Sequence, residues 1–170
     1  MSDEPAPRPD RSPSVLVVIG GDRSIASRLP TPLAPGCVVV AADSGLDVAR
    51  AAGVPVHHVV GDLDSVDQAV LERARVEGTV VHRHPRAKAA TDMELAVDLA
   101  LDQAPGGPGP LLVVGPGGGR LDHELGSLLL LASARLEGWE VTAHLGAATV
   151  TVVRGGARRR LHGVPREQVS

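Results

Sequence analysis

The stretch 59-VVGDLDSVDQ-68 carries the pattern on which the fold reading rests. A β-branched run reaches a glycine, and two aspartates follow it one residue apart. A short apolar run of this kind has strand length, and Gly with Asp marks the exit of a strand into a loop. Side chains alternate along an extended segment, so Asp62 and Asp64 are expected on one side and Leu63 on the other. Carboxylates that close repel one another unless a cation stands between them. Mg2+ suits such a pair, because it takes one or two carboxylates and leaves its other positions to water and substrate phosphates.

The same alternation of short apolar runs and amphipathic stretches extends outward in both directions. Val15–Ile19, Cys37–Ala42, Val56–Val60, Thr79–His82 and Leu111–Val114 are β-branched or apolar runs of strand length. Between and after them, Leu46–Ala52, Asp67–Glu77, Asp92–Gln103 and Asp122–Glu137 carry apolar residues at helical spacing. Ser65-x-x-Gln68 and Thr91-x-x-Glu94 fit the capping box, which predicts helix starts at both places. Strands alternating with helices imply βαβ crossovers, hence an α/β fold: a mostly parallel sheet with helices on both faces, Rossmann-like. Residues 104–110 read as a loop. Beyond about Leu145 the pattern changes, and Thr149–Val153 is expected to be a strand opening a β-rich second unit.

Composition excludes several classes. The chain has 170 residues, 17 basic and 20 acidic, for a net charge of −3, and no field of that size draws it to nucleic acid or anionic membrane. Trp139 is the only aromatic residue, so the stacking platforms of single-strand binders are missing. Cys37 is the only cysteine, which rules out an internal disulfide and a cysteine-rich zinc site. No segment approaches the ~18 apolar residues of a membrane span. Residues 1–14 are acidic and proline-rich, without the apolar core of a signal peptide, and read as a disordered tail. These features predict a cytoplasmic protein.

Chemistry collects where the strands end. Gly20-Gly21-Asp22, Asp43-Ser44-Gly45, Gly61-Asp62-Leu63-Asp64 and 115-GPGGGRLDHE-124 follow the first, second, third and fifth runs. In open α/β sheets the carboxyl ends of the strands line the ligand crevice. Asp92 and Asp122 are candidates to complete an acidic cluster with Asp62 and Asp64, although both also suit a helix N-terminus. Ser65 and Thr91 serve equally well as helix caps. The glycines from Gly115 to Gly119 let backbone amides approach an anion, and Arg120 can fork onto phosphate oxygens. The run is neither a P-loop nor G-x-G-x-x-G. Of the seven histidines, only His123 adjoins a motif; the other six show no metal spacing.

Taken in order, 41-AADSG-45, 61-GDLDS-65, 91-TDMELA-96 and 118-GGRLDH-123 resemble the catalytic domain of thiamine pyrophosphokinases, over about Val15 to Leu145. The resemblance implies transfer of pyrophosphate from ATP to the hydroxyl of thiamine, giving thiamine diphosphate and AMP. It implies Mg2+ on Asp62, Asp64, Asp92 and Asp122, with Asp64 and Asp92 catalytic. Asp43, Ser44, Gly45, Ser65, Thr91, Gly118, Gly119, Arg120 and His123 would bind the nucleotide, and the chain would form a homodimer. Residues 15–145 would be the catalytic domain and residues 146–170 the opening of a truncated β-sandwich that helps to bind thiamine. Ser44, Leu63 and Ala89 depart from the family pattern, Ala89 standing where an acidic residue is common.

Three rival readings remain at this stage. The run 62-DLDSV-66 fits the D-x-D-x-T/V motif of haloacid dehalogenase-type phosphatases, whose first aspartate is a nucleophile. That motif normally ends the first strand, whereas here it ends the third. A metal-dependent nucleotide-sugar glycosyltransferase would leave the glycine run without a role. A non-catalytic nucleotide-binding or interaction module on the same fold is the third, since a fold does not fix an activity.

Overall fold

A computed structural model describes residues 12–85 and 90–158. Residues 1–11, 86–89 (Ala89 among them) and 159–170 lie outside the described residues, and with them most of the expected tail and the last twelve residues of the expected second unit. Seven strands form one sheet: β1 (Val15–Ile19), β2 (Val38–Ala42), β3 (His58–Gly61), β4 (Val80–Arg83), β5 (Pro110–Gly115), β6 (Glu140–Leu145) and β7 (Ala148–Thr151). Among the described residues, four α-helices accompany them: α1 (Gly45–Ala51), α2 (Gln68–Val76), α3 (Asp92–Gln103) and α4 (Leu121–Ala132). The strand order is β4-β3-β2-β1-β5-β6-β7, parallel throughout except for β7.

The order explains the two-sided core. From β1 the chain winds outward to β4, then returns through α3 to place β5 on the other side of β1. With right-handed crossovers, the two directions of winding put their helices on opposite faces. One face packs Leu16, Val18, Val39, Ala41 and Val59 against Leu46, Ala49, Leu71 and Ala74 of α1 and α2. The opposite face packs Val15, Val17, Val40, Ala42 and Val60 against Met93, Ala96, Val97 and Ala100 of α3 and Leu130 and Leu131 of α4. The alternate residues of each central strand thus serve opposite faces, which is why these strands read as continuous apolar runs.

Several local expectations need correction. The strand expected over Thr149–Val153 spans Ala148–Thr151 and pairs antiparallel with β6 as the seventh strand of the sheet. Glu140–Leu145 was not predicted as a strand because Glu140, Thr142 and His144 interrupt its apolar run; only Val141 and Ala143 are buried. A 3-10 helix at Arg23–Arg28 also escaped the reading, though Asp22 caps it by accepting from the Ser24 amide at 2.8 Å. The helix expected over Asp122–Glu137 ends at Ala132, with Ser133 extended (ψ 158°) before a 3-10 turn at Ala134–Leu136.

Arg154 gives the break a physical cause. Its guanidinium donates to the carbonyls of Ala132 (2.8 Å), Ser133 (2.9 Å) and Leu131 (3.3 Å). Helix C-termini leave carbonyls without intrahelical partners, and a cation there also suits the macrodipole. A residue beyond β7 therefore fastens the end of α4. Arg154→Ala is expected to lower the unfolding free energy by about 1–2 kcal/mol, read from the urea midpoint at unchanged slope.

Candidate active site

The exits of β1, β2, β3 and β5 lie side by side, and β1, bonded to both β2 and β5, is where the winding direction reverses. Ligands of open α/β sheets bind outside the carboxyl ends of the strands at such a switch point. The glycines in these exits permit close approach of neighbouring exits. A Cβ on Gly45 would stand 2.1 Å from the Val18 carbonyl oxygen, and one on Gly61 2.0 Å from Asp43 Oδ1. Gly61 also adopts φ 145°, where side chains are disfavoured.

Asp43 ties two exits together. It sits in the left-handed region (φ 44°), and its Oδ1 accepts from the Leu63 amide at 2.9 Å. Leu63 is left-handed as well (φ 63°), so the segment from Asp62 to Asp64 is a turn and not an extended strand. The expected alternation fails for that reason. The outcome keeps its chemical sense, because the turn drives Leu63 into the core (2 % exposed) and leaves Asp62 half-buried and Asp64 exposed. A strained residue costs on the order of 1–3 kcal/mol, and burying a leucine returns about 1.5–3. The Asp62 Oδ1 accepts from the Asp64 amide at 3.1 Å, closing the turn. Gln68 then donates to the carbonyls of Leu63 (3.3 Å) and Val66 (3.1 Å).

The cap predicted at Ser65 is supplied by Asp67 instead, whose Oδ1 accepts from Ala69 (2.8 Å) and Val70 (3.3 Å); Ser65 is exposed. The second predicted box is present: Thr91 accepts from the Glu94 amide at 3.2 Å, and Glu94 accepts from the Thr91 amide at 2.7 Å. This cap presents Asp92 as the first residue of α3. Asp92 lies beside Asp43, to which it is hydrogen-bonded, and the charge of Asp62 reaches the same spot. Burial chiefly, then Asp92 and Asp62, push the Asp43 carboxyl up to about 6, against the pull of the Leu63 amide. Asp43, which the resemblance places at the nucleotide, thus lies with Asp92 and Asp62.

The glycine run forms a second group. Gly118 (φ 76°) donates its amide to the Glu124 carboxylate, and Arg120 forks onto Asp122 through Nε (3.1 Å) and Nη2 (2.6 Å). The Arg120 hydrogen bonds hold the Asp122 carboxyl below its ordinary range. Asp122 therefore stands with Arg120 and not with the other aspartates; both side chains are exposed, as are Gly119 and His123. Ser44 precedes α1 without capping it, its Oγ lying where a Cβ on Gly20 would come within 2.2 Å.

Among the described residues no three His, Cys, Asp or Glu side chains are arranged to hold a metal ion together. The donor set still fits Mg2+, which needs only one or two carboxylates when phosphates and water complete its shell. Asp62 and Asp92 would supply hard oxygen ligands beside Asp43, whose carboxyl is pushed up by burial chiefly and then by their charges.

A model of the thiamin pyrophosphokinase catalytic domain matches residues 33–143. The chain belongs to that family. Every residue of the acidic cluster and of the glycine run lies inside the matched segment. The thiamine pyrophosphokinase of Bacillus subtilis (strain 168) is 28% identical over 118 residues, 69% of this chain and 54% of that protein. A thiamin pyrophosphokinase family protein from Enterococcus faecalis superposes with a TM-score of 0.59 at 26% identity, over 76% of this chain and 60% of its own. The yeast thiamin pyrophosphokinase shares the fold, at 16% identity and a TM-score of 0.60, over 81% of this chain and 60% of that one. The chain therefore spans about half the length of the curated relative that it matches.

The electrostatics make a testable demand. A carboxyl raised from 3.8 to about 6 by folding favours the protonated form, so its contribution is fully present below 3.8 and lost as pH rises through 6. Asp43→Asn keeps an acceptor for the Leu63 amide and removes the charge. It is expected to stabilise the fold at pH 8, with the gain vanishing toward pH 4, as followed by urea unfolding at both pH values.

Proposed function

We propose that this chain carries the thiamine pyrophosphokinase reaction: transfer of pyrophosphate from ATP to the hydroxyl of thiamine, with release of AMP. The observation that carries the proposal is the convergence of Asp43, Asp62 and Asp92 at the exits of β2 and β3, within the family match. Asp62 and Asp92 would hold Mg2+. When bound, the ion neutralises charge on the phosphate oxygens, which is most of what phosphoryl-type transfer asks of a site. Asp64, exposed at the mouth of the turn, would take the thiamine hydroxyl and receive its proton. Asp43 is a positioning residue, since its bond to Leu63 sets the turn from which Asp62 and Asp64 project.

Arg120 would meet the ATP phosphates, exchanging the Asp122 carboxylate for phosphate oxygens of similar geometry. The amides of Gly118 and Gly119 and the N-terminus of α4 would add partial positive charge there. A homodimer belongs to the same proposal. Leu121, Leu125, Leu128 and Leu129 form an outward stripe on α4, 78, 53, 40 and 62% exposed, and such a surface calls for a cover. One observation favours a second reading, a nucleotide-binding module without turnover: Arg120 and the Gly118 amide already have carboxylate partners.

Thiamine-dependent AMP release from Mg·ATP separates the readings. Asp64→Asn and Asp92→Asn are each expected to cut kcat by at least about a hundredfold with the fold intact, on the scale of a lost transition-state interaction. EDTA should abolish turnover, and Arg120→Ala should raise KM for ATP more than it lowers kcat. Turnover that survives Asp92→Asn would overturn the assignment. ATP binding without AMP from the wild-type chain would leave the module reading standing.

A further inference from the structure

The fold brings together two histidines that lie 24 residues apart in sequence, and neither belongs to the site above. His58 opens β3, and His82 is the third residue of β4, the edge strand of the sheet. In the parallel register Val60 faces His82, and His58 stands two residues before Val60 on the same face. His58 Nδ1 and His82 Nε2 point at each other across 3.2 Å, with ring centroids 5.4 Å apart and ring planes tilted by 41°. Both rings are half-buried.

We propose that His58 and His82 form a binding site for one late first-row transition-metal ion, Zn2+, Ni2+ or Cu2+, separate from the carboxylate cluster. With both rings neutral, a single N–H lies between the facing nitrogens, and an ion can take its place. Metal–nitrogen bonds of about 2.0–2.1 Å place cis nitrogens about 2.9 Å apart at a right angle and about 3.3 Å apart at the tetrahedral angle. The observed 3.2 Å falls inside that interval, so the nitrogens are spaced for one ion once each ring swings its lone pair off the line between them. Each ring would carry its proton on the remaining nitrogen, His58 Nε2 and His82 Nδ1.

His57 Nδ1 is engaged elsewhere, accepting from the Val39 amide at 3.0 Å. Among the described residues no third His, Cys, Asp or Glu joins the pair, so solvent completes the shell and the site stays open. Ligand chemistry keeps this site apart from the carboxylates. Imidazole suits Zn2+, Ni2+ and Cu2+, with affinity rising toward Cu2+, whereas Mg2+ prefers oxygen. An ion here would cross-link the edge strand to β3, whose exit carries Asp62.

The test uses the untagged chain with excess MgCl2 present throughout. Calorimetric titration with NiCl2, CuCl2 and ZnCl2 is expected to show one ion per chain, tightest for Cu2+. Affinity should fall at least tenfold in His58→Asn and in His82→Asn alike, while thiamine-dependent turnover, where present, persists in both. Should either variant fold poorly, substoichiometric Cu2+ on the wild-type chain decides, by broadening the imidazole NMR signals of His58 and His82 before those of the other histidines. Broadening that starts at another histidine, competition by Mg2+, or undiminished affinity in either variant overturns the proposal.

Discussion

The hydrogen bond from the Leu63 amide to the Asp43 carboxylate is the constraint on which the candidate site depends. It joins the exits of β2 and β3 side chain to backbone, which is possible only because Gly61 leaves room for the carboxylate. It holds Leu63 in a conformation that leucine rarely adopts, and that conformation sends the leucine inward and the aspartates on either side toward solvent. One contact thus converts a strand end into a platform for acidic side chains. The packing beneath, with apolar residues on both faces of β1, β2 and β3, gives the platform something rigid to stand on.

Such a platform runs against stability. Asp43, Asp62 and Asp92 crowd negative charge into a partly buried corner, and burial first, with the neighbouring carboxylates adding to it, makes Asp43 favour its protonated form. A fold selected only for stability would place an amide or an apolar side chain there. Part of the repulsion is offset by position, since Asp92 opens α3 and the helix dipole favours an anion at that end. What remains is a cluster of carboxylates with a perturbed member, the kind of arrangement that concentrates at functional sites.

Much of this was legible in the sequence where one local force acted alone. Val15–Ile19 and Asp92–Gln103 are found with the bounds expected, the first from an unbroken β-branched run, the second from its capping box. Local reading failed where two groups competed. Ser65 was the expected cap of α2, and the neighbouring Asp67 carboxylate, accepting from two amides, took the place. It failed also where the decisive partner lay far away in sequence. The break after Ala132 depends on Arg154, the turn at Leu63 on Asp43, and the pairing of His58 with His82 on the parallel register of two strands.

The two halves of the candidate site follow the same rule with opposite results. Both α3 and α4 begin at the carboxyl edge of the sheet, and both carry acidic residues in the first turn. At α3 the acid faces other acids, so the local field calls for a cation. At α4 the acids Asp122 and Glu124 face Arg120 and the Gly118 amide, so the field is already balanced and any anion must displace a carboxylate to enter. A cation attracted to the first group and carrying phosphates would bring anions to the second. The metal and the nucleotide would then help one another into the site: phosphate oxygens would complete the ion's shell, and the ion would offset the cost of parting Arg120 from Asp122.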